Sequence, residues 1–419
     1  MEAKKVYYRL TGIRAFLFQV IFTVNAIYFV VDAGLNPLQL VLIGTIMELS
    51  IVLFEVPTGV IADHVSRKKS VIIGTILLGL AHLLEGSVPA FWGIASAYAV
   101  WGLGYTFLSG AEEAWIADEV EGKGLDKLFL KGSQIANIGK IAGIMASVII
   151  SMLFSVQAAI LIAGGSFIIL AVWLWFRMPE ERFEKLEREE SSQLRQLAGA
   201  IHKGYRTVKG HPVLAGMAGI ALMWGLASEG FDRLWAAHFL GDIQLAGSSA
   251  VLWFGLINGI ALLLNIGVVE WISRRLNGDG EQTYVRLLLF VNGALTASTL
   301  IFALSGEIWL ALASYWISFT LRGLNSPLYS IWLNQKLEPK GRATMLSLFG
   351  QLDAIGQIAG GPLVGWIAFS ISVQAGLFAT GLLTVPVLIF LWMAGRYANS
   401  AECPSHPDRK IQDKTGRMQ

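Results

Sequence analysis

A small set of ionisable side chains interrupts stretches that are otherwise apolar, and these residues are the best placed to carry chemistry. They are Glu48, Glu55, Glu112, Glu113, Lys140, Glu229, Asp232, Arg233, Arg322 and Asp353. A carboxyl group in a medium of low dielectric constant holds its proton more tightly, so it can load a proton near neutral pH and release it when a cation or water arrives. The set therefore indicates binding of protons or of charged solutes.

The composition identifies the surroundings of these charges as a lipid bilayer. Of the 419 residues, 54% are hydrophobic and 15% are charged, whereas soluble domains have about 25% charged residues. Uncharged runs such as 15–31, 148–176 and 375–395 approach or exceed the roughly 20 residues that span a bilayer. They are too long for barrel strands, which alternate over about ten residues. The sequence predicts an all-α polytopic membrane protein.

Lysine and arginine divide the connecting segments into two sets. Loops 34–38, 86–91, 155–157, 241–248, 305–308 and 370–372 contain neither residue. The basic residues occur in the N-terminus up to Arg14, in 67–69, 123–131, 177–209, 274–275 and 336–342, and in the tail from Arg396. The positive-inside rule assigns this basic set to the cytoplasm. It predicts twelve transmembrane helices with both termini cytoplasmic.

The chain also repeats itself. The segment QIANIGKIAG at 134–143 recurs as QLDAIGQIAG at 351–360, and Trp115 and Trp175 match Trp332 and Trp392 at the same offset of 217. Chance similarity of apolar helices would not keep one register. We expect a six-helix bundle over 1–178, a cytoplasmic linker over 179–212, a second bundle over 213–397 and a cytoplasmic tail over 398–419. Parallel six-helix repeats are a transporter architecture, with the site between the halves near mid-membrane.

Polar residues follow one face of three predicted helices. We expect these faces to border a wet cavity. The residues are Asn25, Tyr28 and Asp32 in helix 1, Glu229, Asp232 and Arg233 in helix 7, and Arg322 and Asn325 in helix 10. Glu48, in helix 2, is the most isolated acid near mid-membrane, which favours a role in proton or substrate binding.

Structural alternatives stay open for several of these residues. Glu229 and Arg233 are four residues apart and could simply neutralise each other. Lys140 could pair with an acid of helix 1 or helix 4. Glu112 and Glu113 could belong to a solvated rim, and Asp32 could be a gate or a solvated loop acid.

A charged loop follows predicted helix 2. The segment GVIADHVSRKK at 59–69 resembles the Gly-x-x-x-Asp-x-x-Gly-Arg-Lys loop of the major facilitator superfamily, with Ser66 where that family usually has glycine. With the twelve spans, the linker and the repeat, the resemblance covers nearly the whole chain. It implies the major facilitator fold, in which helices 1, 4, 7 and 10 line the cavity. The polar faces lie on three of these four helices.

The resemblance further implies a gating latch on the cytoplasmic side, which would bias the equilibrium between two conformations. Spacing places the glycine, acid and arginine of the loop on one side of a helix, where the glycine would admit a neighbouring helix. The latch residues are Gly59, Asp63, Arg67, Lys68 and, at the end of helix 4, Asp118; Glu270 and Arg274 are the second-half counterparts, with no aligned glycine and a weaker expected latch. The alternative is that 67–69 only determine topology.

Acids outnumber bases in and near the predicted core, which favours cationic or zwitterionic amphiphiles as substrates. With the aromatic content, the chain resembles bacterial drug/proton antiporters of the tetracycline and macrolide efflux kind. That resemblance implies a multidrug antiporter of the bacterial cytoplasmic membrane that confers antibiotic resistance. The chain departs from these antiporters at two places. The segment GKIAGIMAS lacks the proline of their helix 5, and WGLGYTFLSGAEEAW lacks the arginine that they often have in helix 4. Proton-coupled uptake of a small nutrient and a lipid-handling role remain alternatives.

Other functional classes lack the residues they need. Cys403 is the single cysteine and lies in the polar tail, and the six histidines show no ligand spacing. There is no nucleophile and base pair, metal-ligand cluster or phosphate loop. We expect no enzymatic activity, cofactor, metal or nucleic-acid partner. We expect the chain to be monomeric and to retain helix 1 rather than lose it as a signal peptide. Its expected partners are a small-molecule substrate, protons and the bilayer.

Overall fold

The computed structural model describes residues 2–184, 208–245, 250–276, 280–337 and 342–401. Within these residues the chain forms twelve long helices, some of them broken. They are α1 (Glu2–Phe22, Asn25–Ile27 and a wide turn Tyr28–Asp32), α2 (Pro37–His64), α3 (Arg67–Ser87), α4 (Phe91–Leu108, followed by a short helix Ala111–Glu119), α5 (Leu125–Leu153), α6 (Val156–Arg177), α7 (Pro212–Ala237 and a wide turn His238–Asp242), α8 (Ala250–Ser273), α9 (Glu281–Leu304), α10 (Ile308–Lys336), α11 (Arg342–Ser370) and α12 (Val373–Leu383 and Val385–Ala401).

Ten of these helices are long and apolar enough to cross a membrane. The other two, α4 and α10, pack among them; the described α4 segment Phe91–Leu108 is rich in glycine, tyrosine and tryptophan but contains no charged residue. The predicted all-α polytopic fold is confirmed. Most of the predicted linker, 185–207, and the tail 402–419 lie outside the described residues.

The same local chemistry starts equivalent helices in both halves. Ser155 caps α6 by accepting a hydrogen bond from the amide of Ala158 at 3.0 Å, and Ser372 caps α12 through Ala375 at 3.1 Å. An N-cap serine satisfies an amide that has no partner inside the helix. The sequence SVQA occurs at both positions, 155–158 and 372–375, again at an offset of 217, so it is a helix start signal as well as a mark of the repeat.

Close packing between helices also repeats at the offset of 217. A Cβ atom added to Gly139 of α5 would lie 2.5 Å from the carbonyl oxygen of Gly12 in α1. At the equivalent Gly356 of α11, it would overlap the carbonyl oxygen of Leu222 in α7. Small residues let helix backbones approach closely in a membrane, where packing drives association. The paired segments found in the sequence are thus the α1–α5 and α7–α11 contacts.

The two halves touch at the end of the bundle away from the basic loops. Gly361 and Gly365 of α11 pack against Thr45 and Val41 of α2, and Val148 of α5 packs against Gly255 of α8. Towards the basic loops the halves separate around a cavity. The molecule is therefore closed at one end, and its central space extends towards the other.

Candidate functional site

Three adjoining cavities of about 490, 420 and 550 Å³ occupy the space between the halves. Gln357 borders all three, Glu48 and Trp101 border the first and third, and Asp232 borders the first and second. Side chains of α1, α2, α4, α7, α8, α10 and α11 contribute to the walls. The shared residues make this one continuous central site.

A buried ion pair of α7 lies where the halves meet. Arg233 Nε donates to Glu229 Oε2 at 3.2 Å, and the side chains are 19% and 4% exposed. The arginine also reaches the first half: Nη2 is 4.0 Å from Met47 Sδ, and the guanidinium carbon lies 5.4 Å from the ring centre of Tyr98. Asn25 Nδ2 donates to the Tyr98 hydroxyl at 3.2 Å, which fixes that ring. Arg233 is therefore neutralised by its own helix and held against the opposite half.

A second ion pair joins α7 to α10. Arg322 Nη2 donates to Asp232 Oδ2 at 2.6 Å. The guanidinium also lies 5.3 Å from the ring centre of Trp224 and 5.1 Å from that of Phe231. The Asp232 side chain is 48% exposed and the Arg322 side chain 18%. The carboxylate is thus open to the cavity, while the arginine is held by aromatic faces.

Other cavity acids form no ion pair with a described residue. Glu48 is half-buried and makes no hydrogen bond or ion pair with any residue that the structure describes. Glu55 accepts a hydrogen bond from Gln351 Nε2 at 2.9 Å, across the gap between the halves. Asp353 accepts one from Gln357 Nε2 at 2.8 Å. These acids border the cavity without a direct ion pair, so a proton or a positively charged ligand can approach their carboxylates.

The lining combines this negative charge with aromatic faces. Its described acids exceed its arginines by three. Trp101 and Tyr105 are stacked, with ring centres 5.6 Å apart, at the junction between the first and third cavities. Aromatic faces attract cations, most strongly where water is excluded. The site is chemically suited to an organic cation with an apolar body.

The polar face predicted for helix 1 splits in the structure. Asn25 borders the first cavity. Tyr28 is buried and donates to the carbonyl oxygen of Glu85 at 2.9 Å, so it faces its own half rather than the cavity. Asp32 is exposed at the end of the wide turn. The turn changes the helical register from Tyr28 onwards, so Tyr28 and Asp32, four residues apart, no longer share a face.

Helix 10 shows the same division. Arg322 borders the second cavity, whereas Asn325 is 1% exposed and accepts a hydrogen bond from Asn292 of α9 at 2.7 Å. The expectation that Asn325 faces the cavity is wrong. Its amide oxygen is hydrogen-bonded to a neighbouring helix rather than to the cavity, and most buried polar groups away from water find such a partner.

The remaining predicted acids and the lysine have different environments. Glu112 is buried in an ion pair with Arg14, which rules out a solvated rim for it, whereas Glu113 is exposed. Lys140 is half-buried on α5 and forms no ion pair with a described residue. The structural alternative that pairs Lys140 with an acid of α1 or α4 is therefore wrong.

The charged loop forms part of the implied latch within the first half. Arg67 forms an ion pair with Asp118 and donates to the carbonyl oxygen of Ala114 at 2.8 Å. Asp63 is half-buried and has no ion pair among the described residues. Nothing lies within 4 Å of a Cβ built on Gly59, so no helix packs there and that expectation is wrong in this conformation.

The remaining residues of the predicted latch, Lys68 and the pair Glu270 and Arg274, make other contacts in this conformation. The amide of Lys68 donates to Glu180 Oε1 at 2.8 Å. Lys68 thus binds, through its backbone, the carboxylate that follows α6. Glu270 of α8 and Arg274, the first residue after that helix, bind each other at 2.7 Å, with side chains 57% and 76% exposed. The second-half pair therefore connects no two helices.

Sequence reasoning missed several residues that matter here. Met47, Trp101 and Gln357 border the cavity, but neutral side chains in apolar helices give no charge signal. It also missed His82 and Glu85 of α3, which are both 1% exposed and 2.6 Å apart between Nδ1 and Oε2. Their spacing of three residues, just before an outer loop, was the available signal.

Comparison with known proteins places this architecture in a family. A relative from Bacillus subtilis (strain 168), "Uncharacterized MFS-type transporter YxaM", is 21% identical over 389 residues, covering 92% of this chain and 94% of the relative.

Solved structures of transporters share the fold at low sequence identity. A mutant of the nucleoside transporter NupG has a TM-score of 0.78 at 15% identity, covering 93% of this chain and 99% of that one. A bacterial homolog to the human lysosomal transporter Spinster, in an inward-facing and unoccupied conformation, has a TM-score of 0.72 at 14% identity, covering 96% and 98%. A POT family transporter in complex with a thioalcohol conjugated peptide has a TM-score of 0.71 at 14% identity, covering 96% of each chain.

The sequence profile of the Major Facilitator Superfamily matches residues 10–360, which is most of the chain and includes both halves of the cavity. Together with the twelve-helix fold, this match establishes that the chain is a membrane transporter belonging to the Major Facilitator Superfamily.

Proposed function

We propose that the protein exchanges protons for amphiphilic organic solutes that carry a positive charge, either cations or zwitterions, and that it exports them. The observation that carries the proposal is Glu48, an acid that forms no ion pair with a described residue, at the junction of two of the three cavities. A proton and a cationic substrate would compete for this carboxylate. Such competition couples the two flows, because binding of one releases the other.

The surroundings of Glu48 favour an amphiphilic substrate over a small inorganic ion. Trp101 borders the same two cavities and stacks on Tyr105. An aromatic or aliphatic body can lie against these rings while its charged group approaches the acid. No group of acids and histidines in the described residues could hold a metal ion. The chemistry of the lining therefore suits an organic ligand.

Alternating access would use the two ends of the bundle in turn. The described conformation is closed at α2–α11 and α5–α8, away from the basic loops. If those loops face the cytoplasm, this state would load substrate and release protons inside the cell. The reverse conformation would then release substrate outside and bind protons there. We therefore infer a drug-efflux cycle at the bacterial cytoplasmic membrane.

Proton-coupled uptake of a nutrient is the second candidate, and a specific observation favours it. Arg322 and Arg233 both border the cavities, so the anionic group of a zwitterion could displace Asp232 or Glu229 from them. Arginine binds carboxylates and phosphates with two parallel hydrogen bonds. Structural neighbours named as nucleoside and peptide transporters share this fold.

Purified protein in vesicles with an imposed pH gradient tests both candidates. The probes are tetraphenylphosphonium, tetracycline and a nucleoside, each measured with the gradient in either direction. For efflux we expect exchange of the first two against protons, with little transport of the nucleoside. Nucleoside accumulation along the proton gradient, without exchange of the cations, would favour uptake.

The matched variants are Glu48→Gln and Glu307→Gln, the second in an exposed acid before α10. We expect Glu48→Gln to lower proton-driven exchange at least tenfold, the loss that corresponds to about 1.4 kcal/mol, and Glu307→Gln to leave it unchanged. Full proton-driven exchange by Glu48→Gln would overturn the assignment of this acid.

A further inference from the structure

A glycine of α2 lies directly against the buried ion pair of α7. A Cβ atom added to Gly44 would overlap Glu229 Oε2, and it would lie 2.7 Å from Arg233 Nε and 2.8 Å from Glu229 Cδ. Atoms of both charged side chains therefore occupy the space that any other residue at this position would need. We call Gly44, together with the space that the Glu229 carboxylate fills beside it, the glycine socket.

The pair has little freedom to withdraw from the glycine socket. The Glu229 side chain is 4% exposed, and its Oε2 accepts from Arg233 Nε at 3.2 Å. On its other side, the guanidinium of Arg233 lies against the ring of Tyr98 and near Met47 of the first half. Small residues let helices approach closely in a membrane, and here glycine admits a charged pair. A side chain at position 44 would thus displace both charges together.

The glycine socket lies between Glu48 and the closed end of the bundle. α2 begins at Pro37 at that end, so Gly44 is about two turns inside it. Glu48 is one turn deeper, about 6 Å along the same face of the helix. Among the charges that act on Glu48, that of Glu229 is the strongest and that of Arg233 is the next. The pair therefore separates Glu48 from the closed end.

The repeat shows that this contact is made once. The wide turns of α1 and α7 are offset by 210 residues. At that offset the charged pair corresponds to Gln19 and Thr23, two neutral side chains 3.4 Å apart. The charged loop 66–68 and its second-half counterpart are offset by 207, which aligns Gly44 with Val251 of α8. The ion pair and the glycine socket are thus specific to the contact between α2 and α7.

We propose that Gly44 is a positioning residue that determines from which side of the membrane Glu48 can be reached. While the carboxylate of Glu229 fills the glycine socket, the cavity is sealed between Glu48 and the closed end. When α7 moves away from α2, the pair leaves the socket and the cavity opens at this end. The role of Glu48 rests on the exchange proposed above, whereas the seal needs no particular substrate.

Distances between spin labels at positions 31 and 241, measured without substrate, test the proposal. Val31 and Gly241 are exposed in the wide turns of α1 and α7, at the closed end. The change Cys403→Ser leaves only the introduced cysteines to carry labels. We expect Gly44→Ala to raise the ratio of open to closed molecules at this end by about fivefold or more, because overpacking destabilises only the closed state.

Glu229→Asp is the compensating change, because the shorter acid leaves room for the added methyl group. The double variant Gly44→Ala with Glu229→Asp should return the ratio most of the way to the wild-type value, and Glu229→Asp alone completes the double-mutant cycle. A general effect of alanine on α2 would not be reversed by a change in α7. Equal ratios in Gly44→Ala and in the double variant would overturn the proposed contact.

Gly165→Ala is the matched control. Gly165 is a helical glycine of α6 in the same half, and nothing lies within 4 Å of a Cβ atom added to it. Alanine is more favourable than glycine inside a helix, so both variants gain the same local preference. The ratio should stay unchanged in Gly165→Ala. A wild-type ratio in Gly44→Ala, or an equal shift in Gly165→Ala, would overturn the proposal.

Binding of tetraphenylphosphonium, added to vesicles on the side of the basic loops, separates this proposal from the proposed exchange. The apparent affinity of Gly44→Ala should fall in proportion to its closed population, because only that state is open to the added cation. A distance shift with no cation binding to any variant would support the seal and contradict the proposed substrate class. Unchanged affinity despite a smaller closed population would overturn the control of access by Gly44.

Discussion

The two halves repeat in sequence and fold but differ in how far the acids that line the cavity are paired with arginines. In the second half, Glu229 is paired with Arg233, and Asp232 with Arg322. In the first half, Glu48 and Glu55 border the cavity without an arginine of that half among the lining residues. The second wall therefore has two ion pairs and one acid outside them, Asp353, whereas the first wall has two acids and no arginine.

This difference suggests a division of labour between the halves. A buried ion pair costs much to desolvate and chiefly fixes geometry, and removing one partner leaves an uncompensated charge. An acid without a cation can accept either a proton or a positively charged ligand. The first half is thus suited to exchange, and the second to holding the shape of the site.

The largest expected effect comes from breaking the more buried pair. Arg233→Ala leaves Glu229, with a side chain 4% exposed, without its cation. We expect the free energy of unfolding to fall by about 3 to 5 kcal/mol, the usual cost of removing one partner of a buried pair. Unfolding in detergent, followed by tryptophan fluorescence, measures the change.

The double variant Glu229→Gln with Arg233→Met is the control, because it removes both charges and restores apolar volume. We expect it to recover most of the lost stability. If Arg233→Ala alone unfolds like the wild-type protein, Arg233 does not hold the site and the contrast between the halves fails.

A smaller effect is expected from the hydrogen bond that joins the two walls. Gln351→Ala removes the 2.9 Å contact with Glu55 across the gap. A typical net contribution of about 1 kcal/mol corresponds to a shift of about fivefold in the equilibrium between the two access states. Distances between spin labels placed on α2 and α11 near the basic loops report the populations.

Gln157→Ala is the matched control for this prediction. Its Nε2 donates to the carbonyl oxygen of Gly86 at 2.6 Å within the first half, so it crosses no gap. The populations of the access states should not change in this variant. Identical distance distributions in Gln351→Ala and the wild-type protein would mean that the hydrogen bond contributes nothing to the equilibrium between the two access states.

Several features of the fold and site follow from sequence because they rest on strong local signals. The uncharged runs and the repeated register predicted the helical membrane fold. Charges that interrupt other apolar stretches also identified Glu48, Asp232 and Arg322, which all border the cavities. A charged side chain inside an apolar helix is costly to expose to lipid, so it nearly always faces protein or a water-filled cavity. Its presence alone therefore limits where it can lie.

Neutral polar residues were not predictable in the same way. Tyr28 and Asn325 share spacing with cavity residues, yet each bonds a neighbouring helix of its own half. A hydroxyl or amide can be satisfied by a helix or by water, and a one-dimensional spacing does not distinguish them. Which acid pairs with each arginine also depends on how the helices are oriented, and sequence spacing does not give that orientation. Arg67 binds Asp118 across helices, whereas Arg274 binds Glu270 on its own helix.

The smallest expected effect concerns that last contrast. Glu270→Gln breaks an exposed pair on one helix, and such pairs are worth about 0.3 to 0.5 kcal/mol. We expect the midpoint of unfolding and the transport rate to stay close to those of Glu307→Gln, which alters an exposed acid outside the charged loops. Vesicle transport and unfolding of the two variants, side by side, make the measurement. A several-fold loss of turnover confined to Glu270→Gln would mean that the second half has a working latch, and the asymmetry between the halves would then be limited to the cavity walls.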